Sequence, residues 1–311
     1  MRKLAFASLG IALVALVNAA PASAQLDHTY VTQTGSGSVC SFAAPCGSVT
    51  TAIGQTNDGG DLYILNGDYT ENITITKGIS INGDEPSGVI IRTTTNNGTS
   101  TAITVNAPGK TVGLHNLSIY GDAFGVQLTA ARGLIIASGT SINSNGIGLM
   151  IANSAAGASL NMNNVSVGGN SGGNILIQPS GSVGVEAFLN NVRIRGGAFG
   201  LKADATATSG TIRVVFQDGW ANNASGSGFN ALATGTGFAN VLVRNSVANN
   251  NGDGARANGA NARMLVTNSA LTHNNNGLNQ LAGSEVDTFG DNEIRMNTNN
   301  TLGTITSLAK Q

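Results

Sequence analysis

Charged, proline and aromatic residues are all scarce in this 311-residue chain. Asp, Glu, Lys and Arg make up 10% of it, aromatic residues make up 5%, and there are 5 prolines. So little charge is unlike a highly charged disordered chain, and 15 basic against 16 acidic residues leave no positive excess for binding nucleic acid. Collagen is excluded because the 43 glycines do not recur at every third position. The abundant residues, glycine and asparagine, indicate a repetitive, turn-rich β protein.

Cysteine is also nearly absent. Only Cys40 and Cys46 occur, which is too few for a zinc site, and they lack the Cys-x-x-Cys spacing of redox motifs. In an exported chain, two close cysteines predict a disulfide that closes a small loop.

The first 24 residues predict a secretory signal peptide. Met1-Arg2-Lys3 is basic, Leu4 to Val17 is an apolar run, and Ala22-Ser23-Ala24 supplies the small residues of a cleavage site. A transmembrane anchor needs about 20 apolar residues, which is longer than this run. The pattern is typical of bacterial export, so we expect a secreted or periplasmic protein with no transmembrane segment after the signal is removed.

The rest of the sequence repeats. A polar residue separates two short apolar runs at seven positions, spaced by 22 to 27 residues: Asn116, Ser138, Asn164, Asn191, Asp218, Asn245 and Asn268. The runs alternate apolar and polar side chains and contain β-branched residues, which predicts strands. Leucine-rich repeats have a similar length, but their leucine spacing is missing. Three strands in each repeat predict an all-β parallel β-helix with one coil per repeat.

The polar markers have a structural explanation. A sharp bend between strands needs a residue in the left-handed region, which Asn and Gly tolerate, and stacked amides can form a hydrogen-bonded ladder. The alternation then assigns inward positions to Val126, Leu128, Ile147, Leu149, Leu201, Ala203, Phe229, Ala255 and Leu278.

A stack of coils needs closed ends, and the sequence suggests both. Val49, Ala52 and Ile53 recur at helical spacing within Cys46 to Thr56, which predicts a short capping helix. Thr301 to Thr306 predicts a final strand. We therefore divide the chain into a signal peptide (1–24), an N-terminal cap with the disulfide loop (25–60), the β-helix (61–300) and a closing strand or tail (301–311).

The N-terminal part of the mature chain resembles a known family. The segments that carry the likeness are Thr29-Tyr30-Val31, Gly35-Ser36-Gly37, Cys40, Ala44-Pro45-Cys46, Ala52-Ile53 and Gly67-Asp68-Tyr69-Thr70-Glu71-Asn72-Ile73-Thr74-Ile75. They are similar to the opening of exported bacterial β-helix proteins of the pectin-lyase-like superfamily, and the repeats from about Leu62 to Asn299 resemble the same group. The resemblance implies a right-handed parallel β-helix. It implies no single activity, because the superfamily contains lyases, hydrolases, epimerases, adhesins and proteins of unassigned function.

The motifs of the superfamily's polysaccharide hydrolases are missing. They are an Asn-Thr-Asp strand, an Asp-Asp pair, a Gly-His-Gly element and an Arg-Ile-Lys element. Arg193-Ile194-Arg195 is close to the last, but we place it on a different strand of its coil from the one where the resemblance puts the cleft. We interpret Trp220, the only tryptophan, as a residue that covers a coil rather than as a sugar platform.

The strand after each repeat glycine carries the best functional candidate. Aligning these strands places one polar patch on their outward face: Lys202, Asp204, Asn230, Arg256 and Asn258. The patch has three interpretations: a solvated sheet face, a glycan-binding face that uses Asn230, Asn258, Lys202 and Arg256, or a lyase site. In a lyase, Arg256 or Lys202 would be the base and Asp204 a calcium ligand, although calcium wants six to eight oxygens.

We prefer a non-catalytic, exported β-helix protein that presents a glycan- or surface-binding face. Its expected partner is a polysaccharide or cell-surface glycan, and no cofactor or metal is expected. The alternative is a carbohydrate-active enzyme, a lyase or epimerase acting on an acidic polysaccharide, and calcium would be needed only in that case.

Overall fold

Short strands separated by asparagine- and glycine-containing turns build the protein. The structure, a computed structural model, describes residues 25–309 except 86–87, 96 and 154. The predicted signal peptide lies outside the described residues. In chain order the strands are β1 Leu26–Val31, β2 Thr56–Ile64, β3 Gly67–Thr70, β4 Ile73–Ile75, β5 Ser80–Gly83, β6 Val89–Arg92, β7 Thr101–His115, β8 Leu117–Tyr120, β9 Phe124–Ala137, β10 Ser141–Asn143, β11 Ile147–Ile151, β12 Ala158–Gly168, β13 Gly173–Ile177, β14 Val185–Arg195, β15 Leu201–Asp204, β16 Thr211–Gln217, β17 Trp220–Asn222, β18 Ser227–Leu232, β19 Phe238–Arg244, β20 Val247–Asn249, β21 Asp253–Asn258, β22 Ala262–Thr267, β23 Ala270–Thr272, β24 Asn276–Leu281, β25 Glu285–Thr288, β26 Glu293–Arg295, β27 Asn299–Leu302 and β28 Thr306–Ser307.

The strands stack into three parallel sheets, and each coil adds one strand to each sheet. Sheet A contains β1, β2, β5, β16, β19, β22, β25 and β28, together with parts of β7, β9, β12 and β14. Sheet B contains β3, β6, β8, β10, β17, β20, β23 and β26, together with the ends of β12 and β14. Sheet C contains β4, β11, β13, β15, β18, β21, β24 and β27, together with the starts of β7 and β9. The chain is therefore a parallel β-helix of three strands per coil, as predicted.

The seven polar markers occupy the turn from sheet A to sheet B. All seven have left-handed backbones, with φ between 45° and 57°. Their side chains stack from coil to coil: Asn191 donates to Asn164 at 3.3 Å, Asn268 donates to Asn245 at 3.3 Å, and Asn245 donates to Asp218. The assignment of these residues as turn formers, Asp218 included, is confirmed.

A second asparagine stack, which the repeat pattern did not predict, lies buried at the turn from sheet B to sheet C. The Asn274 Oδ1 accepts from the backbone N of Asn251 at 2.9 Å and from its Nδ2 at 3.0 Å. The Asn297 Oδ1 accepts in the same way from Asn274, at 2.8 and 3.0 Å. Asn145 and Asn170 repeat the arrangement in earlier coils. These amides satisfy backbone N–H groups that the turn would otherwise leave buried and unpaired.

The interior matches the predicted alternation with one exception. Eight of the nine assigned core residues are at most 1% exposed: Val126, Leu128, Leu149, Leu201, Ala203, Phe229, Ala255 and Leu278. The assignment of Ile147 is wrong, because it pairs with Phe124 and is half-buried on the outer side of sheet C. Gly148 faces inward instead, since a Cβ there would lie 2.7 Å from the Asn170 Nδ2 and 2.8 Å from the Asn174 backbone oxygen.

The N-terminal end is closed by helix α1, Val49–Gln55, which buries Val49, Ala52 and Ile53. Ser48 is its N-cap. The Glu71 carboxylate accepts from the backbone N–H groups of Val49 at 2.8 Å and Thr50 at 2.9 Å. A negative charge at this position satisfies two helix N–H groups and complements the helix dipole. The predicted capping helix is confirmed.

Cys40 and Cys46 form the predicted disulfide. The C-terminal segment differs from the single closing strand expected over residues 301–306. Thr301 and Leu302 end β27 in sheet C, Gly303 turns with a φ of 84°, and Thr306 begins β28 in sheet A. Across the described ranges, no helix is long enough and apolar enough to cross a membrane.

Candidate functional site

Three side chains of the predicted patch lie side by side on the outer face of sheet C. Lys202 in β15 is in register with Asn230 in β18, and Asn230 is in register with Arg256 in β21. Asn279 in β24 continues the series. Adjacent parallel strands are about 4.8 Å apart, so these four side chains form one continuous row, the sheet C row.

Asp204 belongs to the patch but is not the solvent-facing carboxylate that the sequence suggested. It is 2% exposed. Its oxygens accept from the Lys202 Nζ at 2.7 Å, the Gln178 Nε2 at 3.2 Å and the Thr206 Oγ1 at 2.6 Å. Burial opposes ionisation of Asp204, but the hydrogen bonds from Lys202 and Thr206 outweigh it, so the pKa of Asp204 is lowered. The charge of Lys202 is therefore neutralised within the protein.

Arg256 lies near a second carboxylate, that of Asp253, which also accepts hydrogen bonds from other side chains. Its Nη1 lies 3.7 Å from the Oδ2 of Asp253. Asp253 is largely buried and also accepts from the Ser227 Oγ at 3.3 Å, the Asn276 Nδ2 at 2.8 Å and the Asn279 Nδ2 at 2.9 Å. The two cations of the patch thus each face one carboxylate that other donors already hold.

Asn258 lies outside the sheet C row. It sits in the next outward column, where its neighbours on adjacent strands are Leu232 and Leu281. Leu232 separates it from Asp204. The structure therefore brings together Lys202, Asn230 and Arg256, and it places Asn258 at their margin between leucines.

Unsatisfied polar atoms are concentrated in the sheet C row. The Asn230 Oδ1, the Arg256 Nε and the Asn279 Oδ1 are buried and make no hydrogen bond. These atoms belong to residues on three consecutive strands. A buried polar group without a partner costs about 1–3 kcal/mol. Because these three atoms have almost no solvent contact, an external group would contact the row through the half-buried side chains of Lys202, Asn230 and Arg256.

The residues of the patch do not form a calcium site. No group of three or more His, Cys, Asp or Glu side chains within the described ranges is arranged to hold a metal ion. Asp204 has its oxygens occupied by an ammonium, an amide and a hydroxyl, whereas calcium requires six to eight oxygen ligands. Lys202 is held by that carboxylate, so the residues present do not fit the calcium ion that the lyase hypothesis would need.

A second polar surface lies on sheet B, among residues that the sequence did not mark as a site. Arg193 and Arg195 of β14 point outward and are exposed. Trp220 is in register with Arg193 on the neighbouring strand and is half-buried. The tryptophan therefore lies on an outer sheet face beside an arginine. The alternation of outward positions in β14 was the available signal.

Comparison with solved structures identifies the architecture. The protein is similar to pectate lyase Pel9A, with a TM-score of 0.50 and 15% identity over 90% of this chain and 77% of that chain. It also matches pectin methylesterase PemA from Erwinia chrysanthemi, with a TM-score of 0.44 and 15% identity over 78% of each chain. A GH136 lacto-N-biosidase from Eubacterium ramulus matches with a TM-score of 0.34 and 10% identity over 90% of this chain and 68% of that chain. No family model matches the sequence, and no curated protein matches it.

The fold is therefore a right-handed parallel β-helix like that of pectate lyase Pel9A, as the sequence predicted. At such low identity the likeness concerns the fold alone, because one fold carries many functions.

Proposed function

We propose that this protein is an exported, non-catalytic β-helix that binds a glycan through the sheet C row. The observation that carries the proposal is the continuous row of half-buried polar side chains Lys202, Asn230 and Arg256 on consecutive strands of one outer sheet face. Amide and guanidinium groups in a row match the regularly spaced hydroxyls of a sugar chain.

The charge distribution favours hydroxyl groups over carboxylates as the ligand of this face. Lys202 is paired with Asp204 and Arg256 lies near Asp253, so the row has no uncompensated positive charge to attract an acidic group. Both carboxylates already accept several hydrogen bonds, which leaves neither positioned as a general acid or base. Binding without bond cleavage is what this arrangement supports.

An extracellular or periplasmic location supports a glycan partner. The Cys40–Cys46 disulfide persists in oxidising compartments, and residues 1–24 have the pattern of a secretory signal. Fractionation of expressing cells tests the location: the proposal requires mature protein in the periplasm or medium and is contradicted by a purely cytoplasmic product.

The binding face is tested with a glycan array followed by calorimetric titration of the glycan that binds. Asn230→Leu removes the amide from the middle of the row, and we expect affinity to fall about tenfold, the effect of losing one to two hydrogen bonds. Asn240→Leu is the matched control, because Asn240 also has a buried unpaired Oδ1 but lies in β19 of sheet A. Equal losses in both variants would contradict the assignment of the face.

Catalysis is tested on the same preparation. Uronic acid polymers are incubated with the protein, with and without calcium, and the unsaturated product of lyase cleavage is followed by ultraviolet absorbance. We expect no product. A calcium-dependent product that disappears in Arg256→Ala would overturn the non-catalytic proposal and establish the lyase alternative.

A further inference from the structure

The outer face of sheet B has a groove near its middle, because the outward side chains of the sheet are small there. Asn143 in β10 is in register with Gly168 in β12, and Gly168 is in register with Arg195 in β14. In the adjacent outward column, Ser166 in β12 is in register with Arg193 in β14. The serine and the glycine leave a low floor, with Arg193 and Arg195 on one side and Ser141 and Asn143 on the other.

The groove has a volume of ≈520 Å³, within the range of about 300–1,000 Å³ typical of small-molecule sites. Its walls contain Arg193, Arg195 and Trp220, and no Asp or Glu lines it. It adjoins a second depression of ≈400 Å³ that contains Arg92 and Tyr120 and shares Ser144 with it. The two depressions together follow the long axis of the β-helix.

Arg193 and Arg195 differ from the other arginines of the outer faces. Arg213 pairs with Glu186, Arg263 pairs with Glu285, and Arg92 pairs with Asp68. Neither Arg193 nor Arg195 forms a salt bridge or a side-chain hydrogen bond within the part of the chain that the structure describes. They are two residues apart on one face of a strand, so their Cα atoms are about 6.6 Å apart. Two uncompensated guanidinium groups side by side form a site for an anionic group.

The aromatic residues distinguish a sugar from a simple anion. Trp220 is adjacent to Arg193 across the strand pair. In the neighbouring depression the Arg92 guanidinium covers one face of the Tyr120 ring, 4.7 Å from its centroid, so Trp220 is the ring that we assign to the sugar. Aromatic rings offer apolar faces to the C–H faces of sugar rings, and the two depressions in line suit consecutive units of a chain. We propose that the sheet B groove binds an acidic oligosaccharide, with Arg193 and Arg195 holding a carboxylate or sulfate and Trp220 contacting the sugar ring.

This site is separate from the sheet C row, and its ligand chemistry is different. The row has cations that face carboxylates, together with amides, whereas the groove has arginines without a carboxylate partner. Each site is tested independently.

Trp220 provides a direct readout, because it is the only tryptophan in the chain. A short galacturonate oligomer is titrated into the purified full-length protein while tryptophan fluorescence and heat of binding are measured. We expect saturable binding with a fluorescence change, and weak binding of the methyl-esterified oligomer, which lacks the charge. Inorganic phosphate and sulfate, titrated alone, distinguish a sugar site from a simple anion site.

The double variant Arg193→Gln/Arg195→Gln is expected to lower the affinity for the galacturonate oligomer at least about tenfold, since charged hydrogen bonds are the strong ones. Arg213→Gln is the matched control, because it removes the charge of an exposed arginine on sheet A. Ser166 is exposed on the floor of the groove, so Ser166→Phe should fill the groove and abolish binding. Asn161→Phe is the matched control, because Asn161 is exposed in the same strand but on sheet A, and it should leave binding unchanged.

Three results would overturn the proposal. One is an affinity that falls equally in Arg213→Gln, which would indicate attraction to the whole surface. Another is binding of the oligomer without any change in Trp220 fluorescence, and the third is a methyl ester or free phosphate that binds as tightly as the oligomer. Asn230→Leu should leave this binding intact, so failure of the sheet C proposal and failure of this one remain distinguishable.

Discussion

Replacing Lys202 with methionine tests how much the largely buried Lys202–Asp204 pair stabilises the fold. The side chain of Lys202 is 24% exposed and that of Asp204 is 3% exposed, and the Nζ lies 2.7 Å from the Oδ2. Breaking a buried pair costs about 3–5 kcal/mol, because the remaining charge is left uncompensated. Lys202 retains some solvent contact, and Thr206 and Gln178 still donate to the carboxylate. We therefore expect Lys202→Met to lower the free energy of unfolding by about 2 kcal/mol.

The assay is urea unfolding followed by circular dichroism at neutral pH. Arg213→Met is the control, because it breaks a pair whose side chains are 62% and 76% exposed, and it should change the free energy of unfolding by less than about 0.5 kcal/mol. Leu201→Ala, a fully buried position, should cost about 2–5 kcal/mol through the cavity it leaves. Lys202→Met combined with Asp204→Asn should be less destabilising than the sum of the single changes.

The pH dependence gives an independent check. The pKa of Asp204 is lowered from its ordinary value of 3.8, so the ionised carboxylate stabilises the fold above that value. Its contribution is lost as the pH falls through the lowered pKa. In Lys202→Met the desolvated carboxylate has lost its cation, so the penalty should shrink in acid, where protonation removes the buried charge. If Lys202→Met costs no more than Arg213→Met at neutral pH, the reasoning about the buried pair is refuted.

Three further predictions concern the scaffold. Asn245→Val should lower the free energy of unfolding by about 1–2 kcal/mol, because a β-branched residue resists the left-handed backbone at φ 47°. Asn245→Gly should lower it less. Equal losses of stability in the two variants would contradict the explanation that Asn245 is a turn former. Replacing Cys40 and Cys46 with serine should cost about 2 kcal/mol by freeing a short loop in the unfolded chain, and an unchanged thermal midpoint would contradict this. Burial raises the pKa of Tyr69 to about 12, and its hydroxyl donates to the Leu65 carbonyl oxygen, so Tyr69 should ionise last in an ultraviolet titration. The neutral Tyr69 hydroxyl stabilises the fold below its ordinary pKa of 10.0, and this stabilisation is lost as the pH rises through about 12. If Tyr69→Phe left the ultraviolet titration curve unchanged, the raised pKa of Tyr69 would be contradicted.

Local preferences in the sequence were sufficient to predict the coil. Asn164, Asn191 and Asn245 have left-handed backbones because that conformation depends on the residue itself. The inward positions follow from the period-two alternation of a strand, which also depends only on neighbours along the chain. The one misplaced core residue, Ile147, shows the limit, because the lack of space beside Gly148 comes from Asn170 and Asn174, which lie in the next coil.

Contacts between coils could not be predicted in the same way. Asp204 is buried because Gln178 and Thr206 close over it, and Gln178 lies in the previous coil. The sheet B groove exists because Ser166 and Gly168 are in register with Arg193 and Arg195, which stand 27 residues later. The alternation determines that these arginines point outward, but which side chains stand beside them depends on coil length and register. A change of one residue in a turn would move a different side chain into each position, so only the assembled structure decides which charges are paired and which remain free.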